Sequence, residues 1–145
     1  MVGRILCPTR GGEASYCTQD AAIALAQERG DELVFLYVVD TSFLNRTPRA
    51  VRPDVVADEM ARMGEFLLAM AQERAAAQGV DAQVRIRRGN FRDELVAAIE
   101  EEESDVLILG QPAGEGSAFK LEALQDLAAE VVEGTTCSAQ IVENE

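Results

Sequence analysis

The chain has 145 residues, 48% of them apolar and 27% charged, a mixture that predicts one soluble domain with one core and excludes a disordered or fibrous protein. Thirteen basic against twenty-six acidic residues leave a net charge of −13, which repels nucleic-acid backbones and anionic membranes alike, and no apolar run is long enough to span a bilayer. There is no histidine, so Ser-His-Asp and Cys-His catalysis are excluded and the commonest metal ligand is missing.

Ile5, Leu6 and Cys7 form a short apolar run stopped by Pro8-Thr9-Arg10-Gly11-Gly12, which reads as a buried strand, β1, followed by a glycine turn. From Glu13 to Arg29, Cys17, Ala21, Ala24 and Leu25 recur at helical spacing before Gly30, predicting a helix, α1, whose alanine-rich face packs closely on a sheet. Leu33 to Val39 is continuously apolar and β-prone, as expected for a parallel strand, β2, covered on both faces. A polar stretch from Asp40 to Pro53, carrying Arg46, Arg49 and Arg52, reads as a long loop.

Val56, Met60, Met63, Leu67, Met70 and Ala71 then share one face of a predicted helix, α2, that runs to about Gln78 and stops at Gly79, with the methionines as core packing. Val84 and Ile86 alternate with Gln83, Arg85 and Arg87, giving a strand, β3, with one dry and one wetter face. Asn90 is placed to cap a helix, α3, in which Phe91, Leu95, Ala98 and Ile99 share a face, and Glu100 to Glu103 reads as a solvated acid run at its end. Asp105 to Gly110 is β4, Gln111 to Ser117 a glycine-bearing loop, and Leu121, Leu124, Ala128 and Val131 define α4. Cys137 to Val142 is a last short strand, β5. Strands alternating with helices predict an α/β fold over residues 1–145: an open parallel sheet with right-handed crossovers and helices on both faces.

Cys7, Cys17 and Cys137 are odd in number and widely spaced, which suits neither a disulfide framework nor a zinc site and predicts buried, reduced thiols. The N-terminus shows no leader pattern, so a cytoplasmic protein is expected. No nucleophile-base pair is recognisable, and neither catalytic residues nor a metal are expected. One alternative is thiol redox chemistry at Cys7, beside a helix N-terminus that would depress its pKa.

In open parallel sheets ligands settle outside the carboxyl ends of the strands where strand order reverses, here Pro8 to Glu13, Val38 to Asp40, Gly89, and Gly110 to Ser117. No Gly-x-x-x-x-Gly-Lys-Ser/Thr is present, and Arg10-Gly11-Gly12-Glu13-Ala14-Ser15 is not Gly-x-Gly-x-x-Gly, so P-loop and dinucleotide sites are excluded. Leu6-Cys7-Pro8-Thr9-Arg10 lacks the acidic residues with which a phospho-receiver domain holds a divalent metal.

Five segments, in order, resemble the universal stress protein family. Ile5-Leu6-Cys7-Pro8-Thr9-Arg10-Gly11 is similar to its hydrophobic-x-Pro-Thr/Val-Asp-Gly opening, and Leu36-Tyr37-Val38-Val39-Asp40 to its second strand with Tyr37 in place of His. Arg88-Gly89-Asn90 resembles its turn after the third strand, Asp105 to Gly110 its Asp-Leu-Ile-Val-Met-Gly segment, and Ala128 to Val142 its closing helix and strand. The resemblance implies a five-stranded sheet of order 3-2-1-4-5 and a homodimer joined through Ser138 to Val142, whose unpaired edge a second copy would satisfy.

Nucleotide-binding members of the family place an Asp after β1 near the base and ribose, and cradle phosphates with Gly-x-x-Gly and a following Gly-Ser/Thr. On that pattern the candidate ligand site is Pro8, Thr9, Arg10, Val39, Gly89, Gly110, Gly114, Gly116, Ser117 and Asp126. Arg10 occupies the Asp position, and alignment back from Cys137 puts Gln125 and Asp126 where Gly and Ser/Thr would stand. Two like charges at ~4 Å repel by about 4 kcal/mol at an effective dielectric near 20, so a carboxylate there opposes a phosphate. Gly110 and Gly114 have one residue too many between them, and Gly116-Ser117 marks a rebuilt loop. The expectation is a regulatory or stress-response module with a degenerate site and no cofactor. Its protein or small-molecule partner is undetermined. The alternative is ATP or AMP held in a different pose by Arg10 with Arg46, Arg49 or Arg52.

Overall fold

The computed structural model describes residues 3–9, 13–41, 52–110, 121–134 and 137–142. Its elements are β1 (Arg4–Pro8), α1 (Glu13–Arg29), β2 (Glu32–Val39), α2 (Pro53–Ala77), β3 (Ala82–Arg88), α3 (Phe91–Glu101), β4 (Val106–Gly110), α4 (Leu121–Gly134) and β5 (Ser138–Val142). The five strands form one sheet of order β3-β2-β1-β4-β5, parallel throughout, as expected. Arg10, Arg46, Arg49, Gly114, Gly116 and Ser117 lie outside the described residues.

Strand periodicity divides the core in two, because successive side chains leave a strand on opposite faces. Ile5, Cys7, Leu33, Phe35, Tyr37, Val106 and Ile108 pack with Ala22, Ile23 and Ala26 of α1 and Leu68, Ala71 and Ala75 of α2. Leu6, Val34, Leu36, Leu107 and Leu109 pack on the other face with Leu95, Ala98 and Ile99 of α3 and Leu127 and Val131 of α4. The continuous apolar runs of β1, β2 and β4 are thus strands buried on both sides.

Two helices are turned differently from expectation. In α1 the inward residues are Thr18, Gln19, Ala22, Ile23 and Ala26, while Cys17 and Ala24 are exposed and Ala21 and Leu25 half-buried. Alanines on every side of this helix carry no direction, so Ile23 and the fit of small residues against the sheet decide the face. In α2 the sheet meets Ala61, Gly64, Leu68, Ala71 and Ala75; Val56, Met60, Leu67 and Met70 flank them, and Met63 is 61% exposed. Small inward residues let α2 approach closely, and the Tyr37 ring, only 9% exposed, fills the notch at Gly64. The helix also begins at Pro53, inside the stretch expected to be loop, because proline's fixed φ suits a first helical position.

Gly30 and Gly79, with φ of 68° and 79°, end α1 and α2 in the left-handed conformation, as the sequence predicts. Glu102, expected in a solvated run, has a side chain only 13% exposed and bridges Arg4 Nη1 at 3.0 Å and Arg85 Nε at 2.9 Å. Arg87 pairs with Glu94 and Glu101. β3 is an edge strand whose α3-facing side carries Arg85 and Arg87 rather than apolar residues, so α3 meets it through ion pairs.

A Cβ at residue 64 would fall well inside van der Waals contact with Tyr37 Cδ1 and Cε1. Gly64→Ala is therefore expected to destabilise the protein by about 1–3 kcal/mol through overpacking, read as a lower midpoint in urea or thermal unfolding. Ala69→Gly on the exposed side of the same helix separates this from helix propensity, costing about 1 kcal/mol or less.

Candidate functional site

Strand order reverses at β1, which is hydrogen-bonded to β2 over five residue pairs but to β4 over only Ile5↔Val106 and Leu6↔Leu107. Beyond these pairs the ladder between the two central strands ends, and the carboxyl ends of β1 and β4 border the crevice where ligands settle in such sheets. Thr9 continues β1 by one residue, its N–H donating to the Leu36 carbonyl at 2.8 Å.

The second turn of α1 lies against these strand ends. Gln19, 2% exposed, donates from Nε2 to Thr9 Oγ1 at 3.0 Å, and its Oε1 has no hydrogen-bond partner among the described residues. Thr18, 4% exposed, presses on Gly110, where a Cβ would collide with its Oγ1. Thr9, Thr18 and Gln19 thus form a polar layer at the base of the crevice. Thr18 and Gln19 were missed in the sequence; their one signal is that two polar residues interrupt the face where Ala22, Ile23 and Ala26 follow.

At the end of β2 the Val39 side chain is buried in the core, and its carbonyl accepts from Gly89 N–H at 3.0 Å. Asp40 Oδ2 accepts from Phe91 N–H at 2.9 Å, and Asn90 Oδ1 from Asp93 N–H at 3.2 Å. Asn90 is the expected cap, and the Asp40 carboxylate lies at the positive end of α3. The fold therefore brings Pro8 and Thr9 towards Gly110, and Val39 to Gly89. Gln125 and Asp126 are exposed on α4, and Asp126 makes no ion pair with another described residue.

Of the three cysteines, Cys7 and Cys137 are buried and Cys17 is exposed, which corrects the expectation that all are buried. Burial pushes the Cys7 thiol up to about 12, the reverse of the activation that redox chemistry needs, because the strand alternation turns it into the core rather than towards the α1 N-terminus. Cys137 is raised to about 11 by burial and by the charge of Asp105. Among the described residues no group of acids and cysteines is arranged to hold a metal, and no helix is long and apolar enough to cross a membrane. A cavity of about 140 Å³ under α3, among Leu6, Leu36, Ala98, Arg85, Arg87 and Glu102, is too small for a nucleotide, whose pockets run from about 300 Å³.

Three outcomes follow for these residues. Gly110→Ala is expected to lower stability by about 1–3 kcal/mol, and Thr18→Ala in the same chain to recover most of the loss, as a double-mutant cycle in urea would record. A thiol reagent at neutral pH labels Cys17 promptly and reaches Cys7 and Cys137 only on unfolding. The unfolded chain releases the Cys7 proton above its ordinary value of 9.0 while the folded chain holds it to about 12, so stability falls as pH rises from 9 towards 12. Cys7→Ala is expected to make that alkaline slope shallower in unfolding curves taken at successive pH values.

Comparison with known proteins agrees with this geometry. The universal stress protein of Methanothermobacter thermautotrophicus is 29% identical over 144 residues, covering 98% of this chain and 96% of the relative. The crystal structure of a universal stress protein family member from Burkholderia pseudomallei superposes with a TM-score of 0.73 at 22% identity, over 97% of this chain and 95% of that one. A universal stress protein in complex with cAMP superposes with a TM-score of 0.67 at 19% identity, over 99% and 98%. The family model for universal stress proteins matches residues 1–142, and with the sheet order and the crevice in place the chain belongs to the universal stress protein family.

Proposed function

We propose that this chain is a regulatory or stress-response binding module, acting as a cytoplasmic homodimer through β5, whose crevice does not take ATP in the manner usual for the family. The observation that supports it best is the pair Gln125-Asp126. The turn of α4 that the family pattern gives to a glycine and a hydroxyl residue here presents two exposed side chains, one of them a carboxylate. Arg10, in place of the acidic residue after β1, removes an acceptor from the side expected to meet base and ribose. The dimer reading rests on β5 as a sheet edge with Ile141 and Val142 half-buried, a strand whose free backbone groups a second copy would pair.

A second reading, an adenine-nucleotide sensor with a rebuilt site, is favoured by the unpartnered Gln19 Oε1 at the base of the crevice and by the cAMP complex of a protein of the same fold. Calorimetry and thermal unfolding with ATP and with AMP separate the two. The first reading expects neither heat nor a shift from the native chain, and a gain of binding in Arg10→Asp/Gln125→Gly/Asp126→Ser. A ligand at about 100 times its Kd would stabilise the chain by about 2.7 kcal/mol. A shift of that size with the native chain establishes the sensor and overturns the first reading.

A further inference from the structure

α2 is apolar on two sides. Its inward side is the row Ala61, Gly64, Leu68, Ala71 and Ala75, yet on the opposite side Val55, Met63 and Phe66 stand 47%, 61% and 65% exposed. Met63 and Phe66 adjoin at a spacing of three, and Val55 stands three turns away on the same side, so the exposed side is apolar near both ends with charged residues between. The question is what covers them, and the pattern of charges on the same face supplies the answer.

Val55, Glu59, Arg62 and Phe66 follow one another at steps of four, three and four residues, and at 100° per residue they fall within an arc of about 60°. The order apolar, acid, base, apolar at 4-3-4 spacing is symmetric about its midpoint. When two such helices lie antiparallel on a two-fold axis through that midpoint, Val55 of each copy meets Phe66 of the other. Glu59 of each likewise meets Arg62 of the other. A two-fold contact requires this reciprocity of one surface with itself, and i, i+3, i+4 rows give the ridges that antiparallel helices interdigitate. Within one chain Glu59 and Arg62 already pair at 3.2 Å with side chains 67% and 75% exposed, so both heads are available to a four-membered charge cluster across the axis.

We propose that a second copy of this chain docks here, α2 antiparallel on α2, with Val55-Phe66 and Glu59-Arg62 contacts made twice. α2 covers β2 and β3, at the end of the sheet opposite β5, so this contact is additional to the β5 pairing and independent of it. The net charge of −13 opposes association at long range, which weakens the contact and makes it strengthen with added salt.

Sedimentation velocity and native mass spectrometry over a concentration series test it. Phe66→Glu is expected to break the α2 contact, so that no assembly larger than a pair persists, and to raise the dissociation constant of that contact at least about tenfold. Single chains remain if β5 pairing does not operate, and pairs remain if it does. Glu59→Arg and Arg62→Glu alone each set like charges across the axis and weaken association similarly, whereas the double variant Glu59→Arg/Arg62→Glu restores it by exchanging the two roles. All three positions are exposed, and circular dichroism confirms that each variant is folded. Single chains at every concentration of the native protein overturn the proposal. So does an assembly indifferent to Phe66→Glu, or a double variant no better associated than the single ones.

Discussion

β1 is the strand on which the rest of the molecule depends. It is hydrogen-bonded along both edges, its residues Ile5, Leu6 and Cys7 are 0% exposed, and α1 leaves it on one face while α3 and α4 close the other. A strand so enclosed accepts no polar side chain within its buried run, which is why Thr9 emerges only where that run ends. It is also why the central ladder ends early: β4 arrives from the opposite side of the reversal point, and past Leu6 and Leu107 the two strands go to different helices. The crevice is a consequence of chain connectivity before it is a consequence of any particular side chain.

What lines the crevice follows from how close α1 must come. Ala22, Ala26 and Thr18 bring the helix down on the sheet, and Gly110 is the position at which β4 yields to Thr18. A polar residue in such a contact must be bonded locally, because burying an unpaired polar group is costly. Gln19 meets this on one side through Thr9, and its Oε1 has no partner among the described residues. The base of the site is therefore polar, with Thr9, Thr18 and Gln19 buried against the strand ends.

The β3 end of the sheet is solved differently. Its α2 face is apolar, but its α3 face meets α3 through Arg85, Arg87, Glu94, Glu101 and Glu102, joined onward to Arg4 and Glu32. Surface pairs of this kind contribute about 0–1 kcal/mol each, so they set the seating of α3 more than they stabilise the fold. Charged side chains on an edge strand also discourage further strands from adding there. That leaves the exposed stripe of α2 as the apolar feature of this end of the molecule.

The sequence by itself determined the element order, the limits of the strands within a residue or so, the glycine stops at Gly30 and Gly79, the Asn90 cap and the sheet order implied by the family resemblance. All but the sheet order are set by local chemistry: continuous apolar runs, left-handed glycines and side-chain caps. Tertiary structure alone decided which way α1 and α2 turn, since alanine and methionine distributed around a helix give burial no direction until a sheet with a Tyr37 ring and a Gly110 notch is laid against them. The same holds for Glu102, a surface residue by composition that becomes a half-buried bridge between Arg4 and Arg85 once β1, β3 and the end of α3 converge. It holds for Gln19, whose part in the site depends on a contact with Thr9 that only folding creates.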